Sequence, residues 1–153
     1  MTAIGTSAAT APAAGQTDAI AARLAGAEAL RARGTADAIR QAAAGFEQGL
    51  ADAEQAGNQR LMVDALIGLG RSVDALGDGR RAVALFQRAV DLTHTLGDTE
   101  TEAWALNYGA LAYDRLGERT TALAWLTRAR PPRPPGQFPR MRRRLERPSS
   151  QSR

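Results

Sequence analysis

Two stretches decide the reading: ALIGLGRSVDALGDGRRAVALFQRAV at residues 65–90 and ALNYGALAYDRLGERTTALAWLTRAR at residues 105–130. Laid over one another at a displacement of 40 they share nine of 26 residues: Ala65/Ala105, Leu66/Leu106, Asp74/Asp114, Leu76/Leu116, Gly77/Gly117, Ala82/Ala122, Ala84/Ala124, Arg88/Arg128 and Ala89/Ala129. Going back 40 from Ala82, Ala84, Phe86 and Gly97 gives Ala42, Ala44, Phe46 and Gly57, a weaker earlier copy. Its own turn, around Gly34-Thr35, is about three residues out of phase. A fixed period of this size marks a stack of supersecondary units that bury one another's apolar faces.

Each unit is a pair of helices. Gly57, Gly77, Gly97 and Gly117 stand 20 apart, and glycine is the preferred residue just past a helix end, where φ turns positive. The residues that follow, Asn58, Asp78, Asp98 and Glu118, are short polar groups or acids, and Asn and Asp cap a following helix well. Thr99-x-x-Glu102 also fits a capping box. Between Ala13 and Arg130 there is no proline, the residue that breaks helices by removing a donor and clashing with the preceding turn. The expectation is an all-α chain of helices of about 17 residues, antiparallel because tight turns join them.

The periodic positions have roles in that stack. Ala82, Ala89, Ala122 and Ala129 lie seven apart on one face and let another helix approach, with Phe86 and Leu126 filling the space between. Leu66, Leu69, Val73 and Leu76 form an apolar stripe on the first helix of a pair, and Leu106, Tyr113 and Leu116 repeat it.

These residues resemble tetratricopeptide repeats. Leu69-Gly70, Leu76-Gly77, Ala82, Phe86 and Ala89 match, as do Tyr113, Leu116-Gly117, Ala122 and Ala129. The likeness is to the long, roughly 40-residue form found in bacterial regulators. The second copy departs at Gly109 and Ala110, where Leu-Gly is usual, and at Leu126, where an aromatic is usual. The resemblance implies a right-handed solenoid of about two and a half to three hairpins, with the first helix of each pair lining a concave groove. It places Asp64, Ile67, Gly68, Arg71, Asp74 and Ala75 on that groove, followed by Trp104, Asn107, Tyr108, Leu111, Asp114 and Arg115. Spacings of three and four do put each set on one helix face. The binding candidates among them are Asp64, Arg71, Asp74, Trp104, Asn107, Tyr108, Asp114 and Arg115. An Asn amide can hold a peptide backbone, an Arg a carboxylate, and Trp and Tyr serve as rigid anchors. The implied role is an adaptor or regulatory module for a peptide or protein partner. With no lysine anywhere, and Ile67-Gly68 opposite Asn107-Tyr108, the Lys/Asn clamp that some such domains use for a terminal carboxylate is incomplete.

Chemistry of other kinds finds little footing. The chain has 153 residues, no cysteine and one histidine, His94, which removes thiolate metal sites, disulfides and cysteine nucleophiles. Lack of lysine removes Schiff-base and P-loop chemistry. Gly68-x-Gly70-x-x-Val73 and Gly77-x-Gly79 follow no strand and lack the third glycine of a dinucleotide loop. His94 reads as a helix-end residue, and Asp98, Glu100 and Glu102 as an acidic helix start. No cofactor, metal or catalytic residue is expected, and no apolar run suffices for a membrane span.

The periodic body, residues 17–130, is flanked by two dissimilar ends. Residues 1–16 form a small-residue arm without a charged side chain and without the basic start of an export signal; disorder is the expectation there. Residues 131–153 are a Pro/Arg-rich tail, also expected to be disordered. From Arg130 onward there are eight Arg and one Glu, net +7, whereas residues 17–129 hold twelve Arg against fifteen acids, net −3. Arg140, Arg142, Arg143 and Arg144 could neutralise phosphates, so nucleic-acid contact through the tail is the alternative function; docking of the tail onto the acidic body is a further possibility. No amphipathic capping helix follows Arg130. The last hairpin should therefore expose an apolar face, from Val83, Leu85, Leu123 and Trp125, unless the tail folds back over it, and self-association into a homo-oligomer is expected. Absence of cysteine suits a cytoplasmic home.

Overall fold

The computed structural model describes residues 14–129. Six helices follow one another among the described residues, with no strand: α1 (Ala14–Ala32), α2 (Ala36–Gln55), α3 (Gln59–Ala75), α4 (Gly79–Leu96), α5 (Thr99–Arg115) and α6 (Arg119–Ala129). Helix α1 begins at Ala14, three residues ahead of the boundary read from the sequence. The arm before it and the tail after Ala129 lie outside the described residues.

Each helix packs on the next, and α1 also touches α3, and α3 touches α5, while α2, α4 and α6 make no such backbone contact with one another. The chain is thus three hairpins, with α1, α3 and α5 forming a row on one side. At each turn a glycine carries the left-handed φ, for example Gly77 at 91° and Gly117 at 81°. That conformation lets Gly77 N–H reach the Asp74 carbonyl and ends the helix within one residue. Asn58, Asp78 and Asp98 then accept from the backbone N–H three residues on, at Leu61, Arg81 and Thr101, each cap contributing about 1 kcal/mol. Thr35 does the same for α2 through Ala38.

The expected capping box from Thr99 to Glu102 does not form. Asp98 is the cap, reinforced by the Thr101 hydroxyl at 2.7 Å, and Thr99 already lies in the helix. Glu102 instead accepts from Arg128 on α6 at 2.7 Å.

The core runs continuously through all three hairpins, from Ile20 and Leu24 to Phe46, Leu66, Phe86, Leu106 and Trp125. Helices close on one another at Ala82, Ala89 and Ala122, which are buried as their spacing suggested. The stripe ends earlier than expected, since Leu76 and Leu116 at the helix ends stay exposed. The two polar groups inside, Ser72 and Thr93, return their hydroxyls to carbonyls one turn back, at Gly68 (2.8 Å) and Ala89 (2.8 Å), so neither is orphaned.

One exchange corrects the sequence reading. Leu126, expected to fill the α5–α6 gap, is 44% exposed, and Trp125, expected on the surface, is 9% exposed. The partner glycine moves with it. In the second hairpin Phe86 lies against Gly70, where a Cβ would stand 2.8 Å from the ring; in the third, Trp125 lies over Gly109. Both members of the third pair sit one residue earlier than a displacement of 40 demands, so the aromatic-on-glycine contact survives two apparent mismatches. Leu85 is buried too, which leaves Leu123 and Leu126 as the apolar surface of α6.

Candidate functional site

Two adjoining features lie along the α1–α3–α5 row. Between α1 and α3 lies a cavity of about 330 Å³. Small side chains make it: Ala21 and Ala25 face Gly68 across it. Beneath Gly68 lies the ring of Phe46, so close that any side chain at 68 would collide with it. Leu24, Leu61 and Ile67 complete the apolar lining, with Glu28, Asp64 and Arg71 also on its wall.

The second part is aromatic. Forty residues after Gly68 stands Tyr108, and here the position is filled. The Tyr108 ring stacks on Phe86 at 6.0 Å and on Trp104 at 6.1 Å. The Arg71 guanidinium carbon sits 4.7 Å from the Tyr108 centroid, a cation–π arrangement. Trp104 is the outer member, 55% exposed. Arg71 belongs to both parts, since it also lies 3.6 Å from Glu28.

The ionisable groups of the wall feel their surroundings. The Arg31 guanidinium bonded to Glu28 holds that carboxyl below its ordinary value against partial burial, and Arg71 adds to the effect. Arg31 is raised in return by its bond to Glu28. Asp64 moves the other way: desolvation pushes its carboxyl up, Arg60 opposes the rise and Asp98 adds to it. Its side chain is nonetheless open to solvent.

The eight candidate residues do not converge on one spot. Asp64 and Arg71 lie on the wall of the α1–α3 cavity, and Trp104 and Tyr108 form the aromatic stack that meets it at Arg71. Asp74 and Arg115 bind each other, through Nε to Oδ1 at 3.1 Å and a second, shorter contact to Oδ2, so this arginine is already occupied by a carboxylate of its own chain. Asn107 turns toward α6, where it lines a separate cavity of about 450 Å³ with Leu123, Leu126, Thr127 and Ala129. Asp114 is exposed and makes no ion pair among the described residues. Arg140, Arg142, Arg143 and Arg144 lie outside the described residues. The sequence reading placed no residue of α1 at the site. Leu24 and Glu28 belong to the out-of-phase first copy, so a displacement of 40 does not find them; the i,i+3 pair Glu28–Arg31 is the signal that was there.

The solved TPR domain of Arabidopsis FLU is similar to this chain, with a TM-score of 0.69 and 17% identity, over 74% of this chain and 93% of that one. The fold is a tetratricopeptide-repeat fold. No family model and no curated protein matches the sequence. In this tetratricopeptide-like array α1, α3 and α5 touch along one row, and the departures at Gly109 and Leu126 are accommodated because Trp125 and Gly109 shift together. No helix among the described residues is long and apolar enough to cross a membrane.

Proposed function

We propose that the chain is a protein-interaction module whose α1–α3–α5 groove takes a peptide or a segment of a partner protein. The observation that carries this is the placement of Trp104. A large aromatic, more than half exposed, is held in a stack by Tyr108, which is itself fixed between Phe86 and Arg71. An indole immobilised before binding loses little entropy on contact, which is the economy of an interface anchor. Beside it the cavity over Gly68 offers room for an apolar side chain, with carboxylates and Arg71 on its wall to orient the backbone or flanking charges.

The test is capture of partners from the native cell by the intact chain, followed by binding of the captured segment to variants. Trp104→Ala and Ile67→Arg are expected to weaken binding at least tenfold, and Arg40→Ala, at an exposed site on α2, to leave it unchanged. Equal affinity across all three sinks the groove. A cytoplasmic location is part of this reading, on the absence of cysteine. Self-association is a competing use of the end that exposes Leu123 and Leu126. Nucleic-acid contact rests on the charge of the tail alone; deletion of residues 131–153 would abolish salt-dependent binding to duplex DNA or RNA if it holds.

A further inference from the structure

The end of the array at α6 is unfinished in two independent respects. It has unfilled space: the 450 Å³ cavity between α5 and α6, with Leu123 64% exposed on its wall. It also has an unanswered charge. Asp74 grips Arg115 of the following hairpin. Asp114 is the same residue 40 positions on, so it faces where a fourth hairpin would stand, and it has no ion pair among the described residues. The occupant called for carries apolar side chains together with an arginine.

We infer that this end is covered by the chain's own segment Phe138–Leu145. Ala129, the last described residue, is itself on the cavity wall, so the chain leaves from the rim of the site. Pro139 suits the first position of a helical turn, Met141 and Leu145 follow four residues apart with Arg142–Arg144 between them, and Phe138 adds an apolar side chain just ahead of the turn. That spacing gives one apolar side and one basic side to a helical turn. So short a stripe does not hold a helix in water, but the exposed Leu123 and Leu126 offer a seat to its apolar side, and Asp114, about two turns along α5 from Asn107, offers a carboxylate to its basic side. The arginine-rich segment is net positive and the body net negative. Reach is sufficient: the proline-rich stretch from Arg130 to Gly136 spans about 20 Å as a polyproline II strand, against about 16 Å for the length of α6. A tethered segment also meets its site at an effective concentration near millimolar, which a second copy of the chain does not match at ordinary protein concentrations.

The cysteine-free sequence permits a clean test in the full-length chain. Leu126→Cys is combined with Met141→Cys, and Arg40→Cys with Met141→Cys as the control on an exposed part of α2; both are oxidised under dilute conditions. The expected result is an intramolecular disulfide in the first, formed at least tenfold faster than in the control, with far-UV circular dichroism confirming that both fold. A predominance of disulfide-linked dimers assigns the face to a second copy and overturns the proposal. Equal rates in the two variants describe a tail without a seat and overturn it as well. In a second arm, Phe138, Met141 and Leu145 are all replaced by Glu in the otherwise native chain. Light scattering should then show association through the uncovered leucines, and a species of unchanged size and unchanged melting temperature counts against the inference.

Discussion

The indole of Trp125 rests directly on Gly109, leaving no room for a Cβ between helix and ring. The contact repeats, with a larger aromatic, what Phe86 does on Gly70. Gly109→Ala therefore has to push α6 away from α5, and an overpacked site of this kind costs about 1–3 kcal/mol. Gly26→Ala, in a part of α1 where a Cβ meets nothing within 4 Å, should instead stabilise by about 0.5–1 kcal/mol through helix propensity. Urea unfolding of the two variants beside the parent compares them directly; the same sign for both would refute the packing argument.

The two tryptophans make a second contrast. Trp125→Ala removes a buried ring and is expected to cost about 3–5 kcal/mol. Trp104→Ala removes an exposed one and should fall within about 0.5–1 kcal/mol, the worth of its stack on Tyr108. Thermal unfolding followed by circular dichroism separates them, and a Trp104 variant as unstable as the Trp125 variant would mean that Trp104 is structural.

Asp74 and Arg115 tie the second hairpin to the third. The carboxylate is mostly buried and the guanidinium mostly exposed, so the pair is partly screened. A double-mutant cycle of Asp74→Ala and Arg115→Ala should give a coupling of about 0.5–1 kcal/mol. Raising the ionic strength toward 1 M should shrink it. No coupling at low salt would remove this contact from the list of forces joining the repeats.

Acid should affect the two carboxylates on the α1–α3 cavity wall in opposite senses. Glu28, held below its ordinary value of 4.5, contributes stability at neutral pH that is lost as pH falls through its lowered folded pKa. Glu28→Gln should thus destabilise slightly at pH 7, and less and less as pH drops below about 4. Asp64, raised above 3.8 by desolvation, is a burden while ionised, because the folded state prefers it protonated. Asp64→Asn should stabilise at pH 7, with the gain shrinking as pH falls through the raised pKa and vanishing below the unfolded value. Chemical denaturation from pH 3 to pH 7 reads both slopes, and parallel slopes for the two variants would contradict this assignment.

Much of the architecture is legible along the chain because each helix end is a local event. The positive φ at Gly77 and Gly117 and the caps at Asn58, Asp78 and Asp98 need only a few neighbouring residues, and their spacing by 20 announces them. The candidate groove was half legible. Asp64 with Arg71 on α3, and Trp104 with Tyr108 on α5, share a face of their own helix by periodicity alone. That Asp74 and Arg115 neutralise each other, or that Asn107 turns to α6, depends on how far one hairpin is rotated against the next, and no single helix records that rotation.

The sequence by itself determined the helices, their turns and the period at which hairpins recur, since these follow from backbone conformation and from apolar spacing within about two turns. Only the tertiary structure decided which aromatic enters the core. Leu126 holds the periodic position, but Trp125 is buried, because the third hairpin can close only where a glycine on α5 admits the ring, and that glycine is Gly109. Packing density selected the pair that fits.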